Sequence, residues 1–341
     1  MGRRAVEIIV VVAAAVVCLL AYLGKPGLLG WHHGFVFSPT VSTVVIILIA
    51  MSLIWILVRT IRNKPFERRL IFLYVGIAIS LPLFMPLRQS ISISENVRKV
   101  YRALEALPPG SKVLVTFDYD PSSAPELQPM AEAFLIECFR RDLKVIMLGL
   151  WATGQQQAEM AIDTAMARMG WDSTDVIYGE DYVNLGYQSG NEFVIQRLGS
   201  SFEAMFPDDI RGTPYREIPI VKNVRNYSNI DYSFNLSAGF VGTVEWVQVA
   251  VDRFGLKLGA GNTAVQAPTV YPYLRSGQLE GLLAGMTAAA EFEKLTGLED
   301  KATTYISSLT FAHLIIIVFI IIGNVAFLRG GRKARTAGKA E

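Results

Sequence analysis

Histidine and cysteine are scarce in this chain, which has three histidines and two cysteines among its 341 residues. His32, His33 and His313 all lie outside the segment 91–304, and that segment holds Cys138 as its single cysteine. Catalysis by a Ser-His-Asp or Cys-His arrangement is therefore excluded for this segment. A zinc site built from histidines or clustered cysteines is excluded there as well. We accordingly predict no metal ion, no cofactor and no disulfide bond.

Charge is also scarce: charged residues make up 18% of the chain, whereas soluble domains average about 25%. The deficit is concentrated in four apolar runs, which cover residues 8–23, 41–58, 70–87 and 305–328. Crossing the hydrocarbon core of a bilayer takes about 20 helical residues. We therefore predict three transmembrane helices with short loops in residues 1–90 and a fourth transmembrane helix at 305–328.

The basic residues that flank these runs predict the orientation of the helices. They fall before the first run, between the second and third runs, and after the fourth run: Arg3, Arg4, Arg59, Arg62, Lys64, Arg68, Arg69, Arg329, Arg332, Lys333, Arg335 and Lys339. In contrast, the loop 25–40 contains one lysine, Lys25, and no arginine. Basic flanks stay in the cytoplasm. We therefore predict a multi-pass protein of the cell membrane with cytoplasmic termini, a basic cytoplasmic tail at 329–341 and an extracytoplasmic segment 91–304.

The segment between the third and fourth runs has the composition of a globular domain. Residues 88–300 contain 18 basic and 27 acidic side chains, a net charge of −9. A domain that binds nucleic acid concentrates basic charge on its surface, so nucleic acid is excluded as a partner.

Apolar runs of strand length alternate with helical patterns along this segment. Strands are predicted at 112–117, 143–150, 175–178, 230–236 and 256–258, and helices at 91–107, 124–141, 155–169, 191–205, 243–254 and 278–295. Such alternation predicts an α/β fold, a Rossmann-like three-layer domain with a mainly parallel sheet. The small residues Gly281, Gly285, Ala288 and Ala289 predict that the last helix packs closely on the sheet.

Polar and small residues follow the predicted strands, where open parallel sheets bind their ligands. The candidate crevice residues are Asp118, Asp120, Thr153, Glu180, Ser237, Asn262 and Thr263. Helix amino termini attract anions through unpaired N–H groups, so one interpretation is a small polar or anionic ligand. The other interpretation is purely structural, because the same residue types cap helices and form turns.

Asp118 and Asp120 form the sharpest candidate for chemistry. Two carboxylates two residues apart after a buried strand can hold Mg²⁺ or supply a nucleophile and an acid. The pair resembles the opening motif of haloacid-dehalogenase-like phosphatases, and Thr153 stands where that family has a serine or threonine. The resemblance implies Mg²⁺-dependent hydrolysis with Asp118 and Asp120 as catalytic residues. Pro121 and Ser122 depart from the family pattern, and no clear lysine motif follows.

Two functions therefore lead. The first is a non-catalytic membrane protein whose extracytoplasmic α/β domain binds a ligand or partner in an envelope membrane complex. Its partners would be the lipid bilayer, other membrane subunits or further copies of the chain, and a small polar or anionic ligand. The alternative is a membrane-anchored, carboxylate- and Mg²⁺-dependent hydrolase of phosphatase type. A transporter or channel subunit is a third hypothesis.

Overall fold

The computed structural model describes residues 91–298 and 301–337. It also describes six single positions before them: Ile47, Met51, Ile54, Trp55, Val58 and Gly76. The predicted helices over 8–23, 41–58 and 70–87 otherwise lie outside the described residues. The chain divides into two units, of which Ile91–Thr303 is one and the remaining residues are the other.

The unit Ile91–Thr303 alternates strands and helices. Its elements are α1 (Glu95–Glu105), β1 (Lys112–Asp118), α2 (Ala124–Arg140), β2 (Lys144–Gly149), α3 (Gly154–Met169), β3 (Tyr182–Tyr187), α4 (Glu192–Leu198), β4 (Tyr232–Ser237), α5 (Thr243–Trp246), a π-helical segment (Val247–Val251), α6 (Asp252–Phe254), β5 (Leu258–Asn262), α7 (Ala267–Ser276), β6 (Gly281–Ala284) and α8 (Gly285–Thr296). Two 3-10 turns, Tyr215–Glu217 and Tyr227–Asn229, lie in the long connection to β4.

A last helix, α9 (Lys301–Ala337), contains the predicted fourth span. Across the part of the chain that the structure describes, no helix combines the length and the apolar character needed to cross a membrane.

The six strands form one sheet in the order β3-β2-β1-β4-β5-β6, and every pair is parallel. This confirms the predicted α/β fold with a mainly parallel sheet. The order 3-2-1-4-5-6 is that of doubly wound, Rossmann-like sheets. The strand order reverses between β1 and β4, so the carboxyl ends of these two strands define the switch point of the sheet.

Helices cover both faces of the sheet. Successive side chains of a strand point to opposite faces, and on one face Phe134 of α2 stacks on Phe234 of β4 with ring centroids 4.1 Å apart. On the other face, Leu114 of β1 belongs to a buried cluster with Trp246 and with Phe202 from the long connection. Because both faces are buried, β1 and β2 are apolar along most of their length, which is why the sequence pattern reveals them.

The third strand was predicted in the wrong place. Residues 175–178 follow a turn in which the Asp172 carboxylate accepts hydrogen bonds from the backbone N–H and side-chain hydroxyl of Thr174. The strand is Tyr182–Tyr187, whose first five residues are buried between flanking elements. The short apolar run at 175–178 is the approach to β3.

The last predicted helix, at 278–295, was also wrong in part. Gly281 begins the short strand β6, and Gly285, with φ of +65°, begins α8. A Cβ added to Gly281 would lie 2.7 Å from Cγ2 of Val100, so the small residue lets α1 approach the edge strand closely. Gly281 is thus part of a strand that packs against a helix, whereas Gly285, Ala288 and Ala289 are buried residues of α8.

Candidate functional site

The loops that follow the strands meet at one end of the sheet, here called the carboxyl edge. It comprises residues 119–123, 150–153, 188–191, 238–242 and 263–266, which follow β1, β2, β3, β4 and β5 respectively. At its centre, β1 ends at Asp118 and β4 ends at Ser237. The backbone N–H of Ala238 donates to the carbonyl oxygen of Asp118 at 3.1 Å, which joins the two strand ends at the switch point.

Asp118 is fully buried, and its carboxylate is held by three N–H donors. The backbone N–H of Leu150 donates to Oδ1 at 2.7 Å. The side-chain amide of Asn235 donates to Oδ2 at 2.7 Å, and Nε1–H of Trp246 donates to the same oxygen at 2.9 Å. The carboxylate therefore ties together the ends of β1 and β2, the strand β4 and the helix α5.

The contacts of Asp118 extend into a wider set of buried polar side chains. We call this set the central polar network: Thr116, Asp118, Asn235, Thr243, Asn262 and Trp246. The amide of Asn235 also donates to the hydroxyl of Thr116 at 2.7 Å, and the hydroxyl of Thr243 donates to Oδ1 of Asn235 at 2.6 Å. The amide of Asn262 donates to Thr243 at 2.9 Å. Satisfied networks of this kind rigidify a core.

Burial and hydrogen bonding act on Asp118 in opposite directions. Burial raises the pKa of the carboxyl from 3.8 to about 7, although the bonds from Leu150, Trp246 and Asn235 all lower it. Removal from water disfavours the charged form, whereas N–H donors favour it. The group consequently titrates near neutral pH while remaining out of contact with solvent.

Asp120 has a separate environment. Its Oδ1 accepts hydrogen bonds from the hydroxyl of Ser122 at 2.7 Å and from the backbone N–H of Ser123 at 3.2 Å. The bond from Ser122 is the main cause that lowers the pKa of Asp120 below its usual value. Asp120 thus stabilises the loop before α2, whereas Asp118 accepts hydrogen bonds from buried groups of the core.

The hydrogen bonds of Asp118 disfavour a metal site shared with Asp120. Both oxygens of Asp118 already accept N–H donors, which compete with any cation for the same lone pairs. Within the described residues, no three His, Cys, Asp or Glu side chains gather closely enough to hold a metal ion. The described donor set therefore does not fit Mg²⁺ at this position.

The other predicted site residues are distributed unevenly around this centre. Thr153 is exposed at the start of α3, and its hydroxyl donates to the carbonyl oxygen of Tyr119 at 3.2 Å. Ser237 is buried, and its hydroxyl contacts the backbone of Gly239. Thr263 is buried directly after Asn262. Six of the seven predicted residues thus lie at the carboxyl edge or immediately beneath it.

Glu180 does not belong to this group. The residue precedes β3, and Val145 near the start of β2 pairs with Tyr182 at the start of β3. The neighbouring Asp181 pairs with Lys144, 2.5 Å away, at the amino end of β2. Glu180 therefore lies at the opposite end of the sheet from the crevice. The error follows from the misplaced third strand, which put residues 179–181 after a strand instead of before one.

The sequence prediction missed four members of the central polar network: Thr116, Asn235, Thr243 and Trp246. A signal for two of them was present. Thr116 and Asp118 alternate with apolar residues in β1, as Ser233, Asn235 and Ser237 do in β4. Polar residues two apart in two buried strands indicate a shared polar stripe on one face of the sheet.

Large apolar side chains are exposed around the same edge. In the described part of the domain, the three with the largest exposed fractions are Val265 at 84%, Phe240 at 65% and Phe193 at 61%. Val265 and Phe240 lie in carboxyl-edge loops, and Phe193 lies in the first turn of α4, which follows such a loop. The five loops contain no lysine or arginine. The edge therefore presents apolar side chains to solvent above a closed polar interior.

The fold and this edge define a class: a doubly wound parallel α/β domain whose switch point is closed by a buried carboxylate. Comparisons with protein-family models, with curated proteins and with solved structures give no match.

Proposed function

We propose that this chain is an integral membrane protein whose extracytoplasmic α/β domain binds a ligand or partner in a membrane complex without catalysing a reaction. The observation that carries the non-catalytic assignment is the environment of Asp118. A nucleophile, an acid or a metal ligand must reach its substrate or ion. Asp118 is fully buried and uses both carboxylate oxygens within the fold.

Binding is proposed at the carboxyl edge. Exposed apolar patches are characteristic of interaction sites, and we propose that Val265, Phe240 and Phe193, the most exposed large apolar side chains described in this domain, belong to one. Helices α2 and α3 also begin at this edge, so the positive ends of their dipoles favour a small polar or anionic ligand as a second kind of occupant.

The membrane assignment rests on the four apolar runs and their basic flanks. Exposed apolar side chains along α9 support it, including Leu314, Ile317, Ile320 and Ile321, each more than half exposed. Exposing such side chains to water costs roughly 25 cal/mol for each Å², and a lipid environment removes that cost. About four helices would anchor the domain, with both termini in the cytoplasm.

The second candidate function is a membrane-anchored, carboxylate- and Mg²⁺-dependent hydrolase. The spacing of Asp118 and Asp120 favours it, as does the raised pKa of Asp118, about 7, since general acids commonly titrate near neutral pH.

The purified full-length protein distinguishes the two functions. We expect the wild type to hydrolyse a panel of phosphoesters, in the presence of Mg²⁺, no faster than the Asp118→Asn and Asp120→Asn variants do. We also expect the wild type and the two variants to show the same Mg²⁺ binding in titration calorimetry. The matched control is Asp172→Asn, which alters an exposed aspartate in a turn. Activity that is lost in Asp118→Asn and Asp120→Asn but kept in Asp172→Asn would establish the hydrolase.

A further inference from the structure

Helix α8 holds the segment of chain that enters the domain. Oε2 of Glu291 accepts the backbone N–H of Ser94, the residue before α1, at 2.8 Å. Nζ of Lys294 donates to the carbonyl oxygen of Ile91 at 2.7 Å. Two side chains of one helix therefore fix residues 91–94.

The same helix holds the segment of chain that leaves the domain. Glu293 is fully buried and accepts the backbone N–H groups of Ala302 at 3.1 Å and Thr303 at 3.0 Å. Glu132 of α2, also buried, lies 2.9 Å from Nζ of Lys301. The first turn of α9 is thus bound by two buried carboxylates, one from α8 and one from α2.

Both of these helices begin at the carboxyl edge and meet the same loop there. Oε2 of Glu126, in the first turn of α2, accepts the backbone N–H of Ala264 at 2.8 Å. Gly285, the first residue of α8, packs on the same loop, since a Cβ added to it would lie 2.9 Å from Cβ of Ala264. Helices α2 and α8 also pack against each other.

We infer that α2 and α8 couple the β5–α7 loop at the carboxyl edge to the first turn of α9. Each helix contacts Ala264 at one end and residues 301–303 further along, and the contacts at α9 involve buried carboxylates. Displacing Glu132 or Glu293 would strain or break these hydrogen bonds, and hydrogen bonds at buried groups are costly to lose. We therefore expect residues 301–303 to follow such a displacement. Coupling between sites is carried by packed side chains, hydrogen bonds and rigid secondary-structure elements. A partner that shifts the loop would therefore shift the start of α9, a regulatory role beyond binding itself.

Hydrogen exchange in the full-length protein without any ligand tests the coupling. Glu126→Ala removes the bond to Ala264 at the edge, and we expect the amides of Ala302 and Thr303 to exchange roughly tenfold faster, as measured by mass spectrometry of a peptide spanning them. The reverse experiment uses Glu293→Gln, which should accelerate exchange at Ala264, because coupling between two sites is reciprocal.

The matched control is Glu192→Ala, which removes an exposed first-turn acid from α4, another helix that begins at the carboxyl edge. It should leave exchange at 302–303 unchanged. Exchange in a β1 peptide should be unchanged in every variant, which separates coupling from global loss of stability. If Glu126→Ala accelerates exchange only around Ala264, or if Glu192→Ala has the same effect at 302–303, the coupling does not exist. Neither outcome depends on the proposed binding function.

Discussion

Asp118 stabilises the sheet by accepting hydrogen bonds from three other elements. Its negative charge, in contrast, is unfavourable in the buried site and lowers the stability of the fold. Burial raises the pKa of its carboxyl to about 7, whereas the unfolded chain releases the same proton near 3.8. Between these values the folded protein retains a proton that the unfolded chain has lost. Linkage then requires that the free energy of unfolding decrease as the pH rises through this window.

We therefore predict a pH-dependent difference between the wild type and Asp118→Asn. The contribution of Asp118 to stability is complete below about pH 3.8 and declines by at most about 1.4 kcal/mol per pH unit up to about pH 7. The variant lacks this decline, so its stability relative to the wild type improves as the pH rises. Denaturation midpoints of both proteins, measured from pH 4.5 to 8 by tryptophan fluorescence, check the prediction.

Asp120→Asn is the control for this series. Hydrogen bonds lower the pKa of Asp120 below 3.8, so its contribution to stability is present above that pH and is lost as the pH falls further. The Asp120→Asn profile should therefore parallel the wild type above about pH 5. Parallel profiles for Asp118→Asn and the wild type would show that Asp118 does not titrate in the window.

At the scale of single residues, the sequence identified Asp118 at the centre of the site but could not show whether its carboxylate is exposed or buried. Asp118 was identifiable because it ends a buried strand. Its donors are separated from it by 32 residues for Leu150 and by 128 residues for Trp246. Only the folded sheet brings them together, so an exposed catalytic carboxylate and a buried structural one have the same sequence signal.

At the scale of the elements, the packing of α3 on β1 depends on Gly154. A Cβ added to this residue would lie 1.9 Å from the carbonyl oxygen of Phe117, which is far inside van der Waals contact. We predict that Gly154→Ala destabilises the domain by about 1–3 kcal/mol, because the start of α3 must move away from the strand.

The comparison for Gly154→Ala is Gln156→Ala, an exposed position in the same first turn of α3. That substitution should change stability by less than about 0.5 kcal/mol. Thermal unfolding followed by circular dichroism measures both. Equal stabilities of the two variants would mean that α3 can relax away from β1 at no cost.

The individual strands differ in how well the sequence pattern predicts them. Strands β1, β2 and β4 were predicted within two residues of their ends. β1 and β2 are apolar for most of their length, as is typical of buried parallel strands, whereas β4 alternates apolar and polar residues. β6 has only four residues, Gly281–Ala284, and continues directly into α8. Its small residues fit a helix as well as a strand, and only the approach of α1 to Gly281 distinguishes the two.

At the scale of the whole molecule, the predicted orientation is open to a direct test. Ser173 is exposed in the turn before β3, whereas Cys138 is buried. We predict that Ser173→Cys reacts with a membrane-impermeant maleimide added outside intact cells, while the wild type remains unlabelled. Labelling of Ser173→Cys only after the cells are opened would overturn the proposed topology.

The position of β1 and β4 at the centre of the sheet has a consequence for biogenesis. Ribosomes deliver the chain from its amino end, so β1, β2 and β3 emerge before β4 and leave one side of β1 as an unpaired strand edge. During that interval Asp118 lacks two of its three donors, since Asn235 and Trp246 follow it by 117 and 128 residues. Pairing at this sequence separation is slow and prone to aggregation. The nascent domain therefore needs protection at this edge until residue 246 has been made, and the central polar network is among the last parts to close.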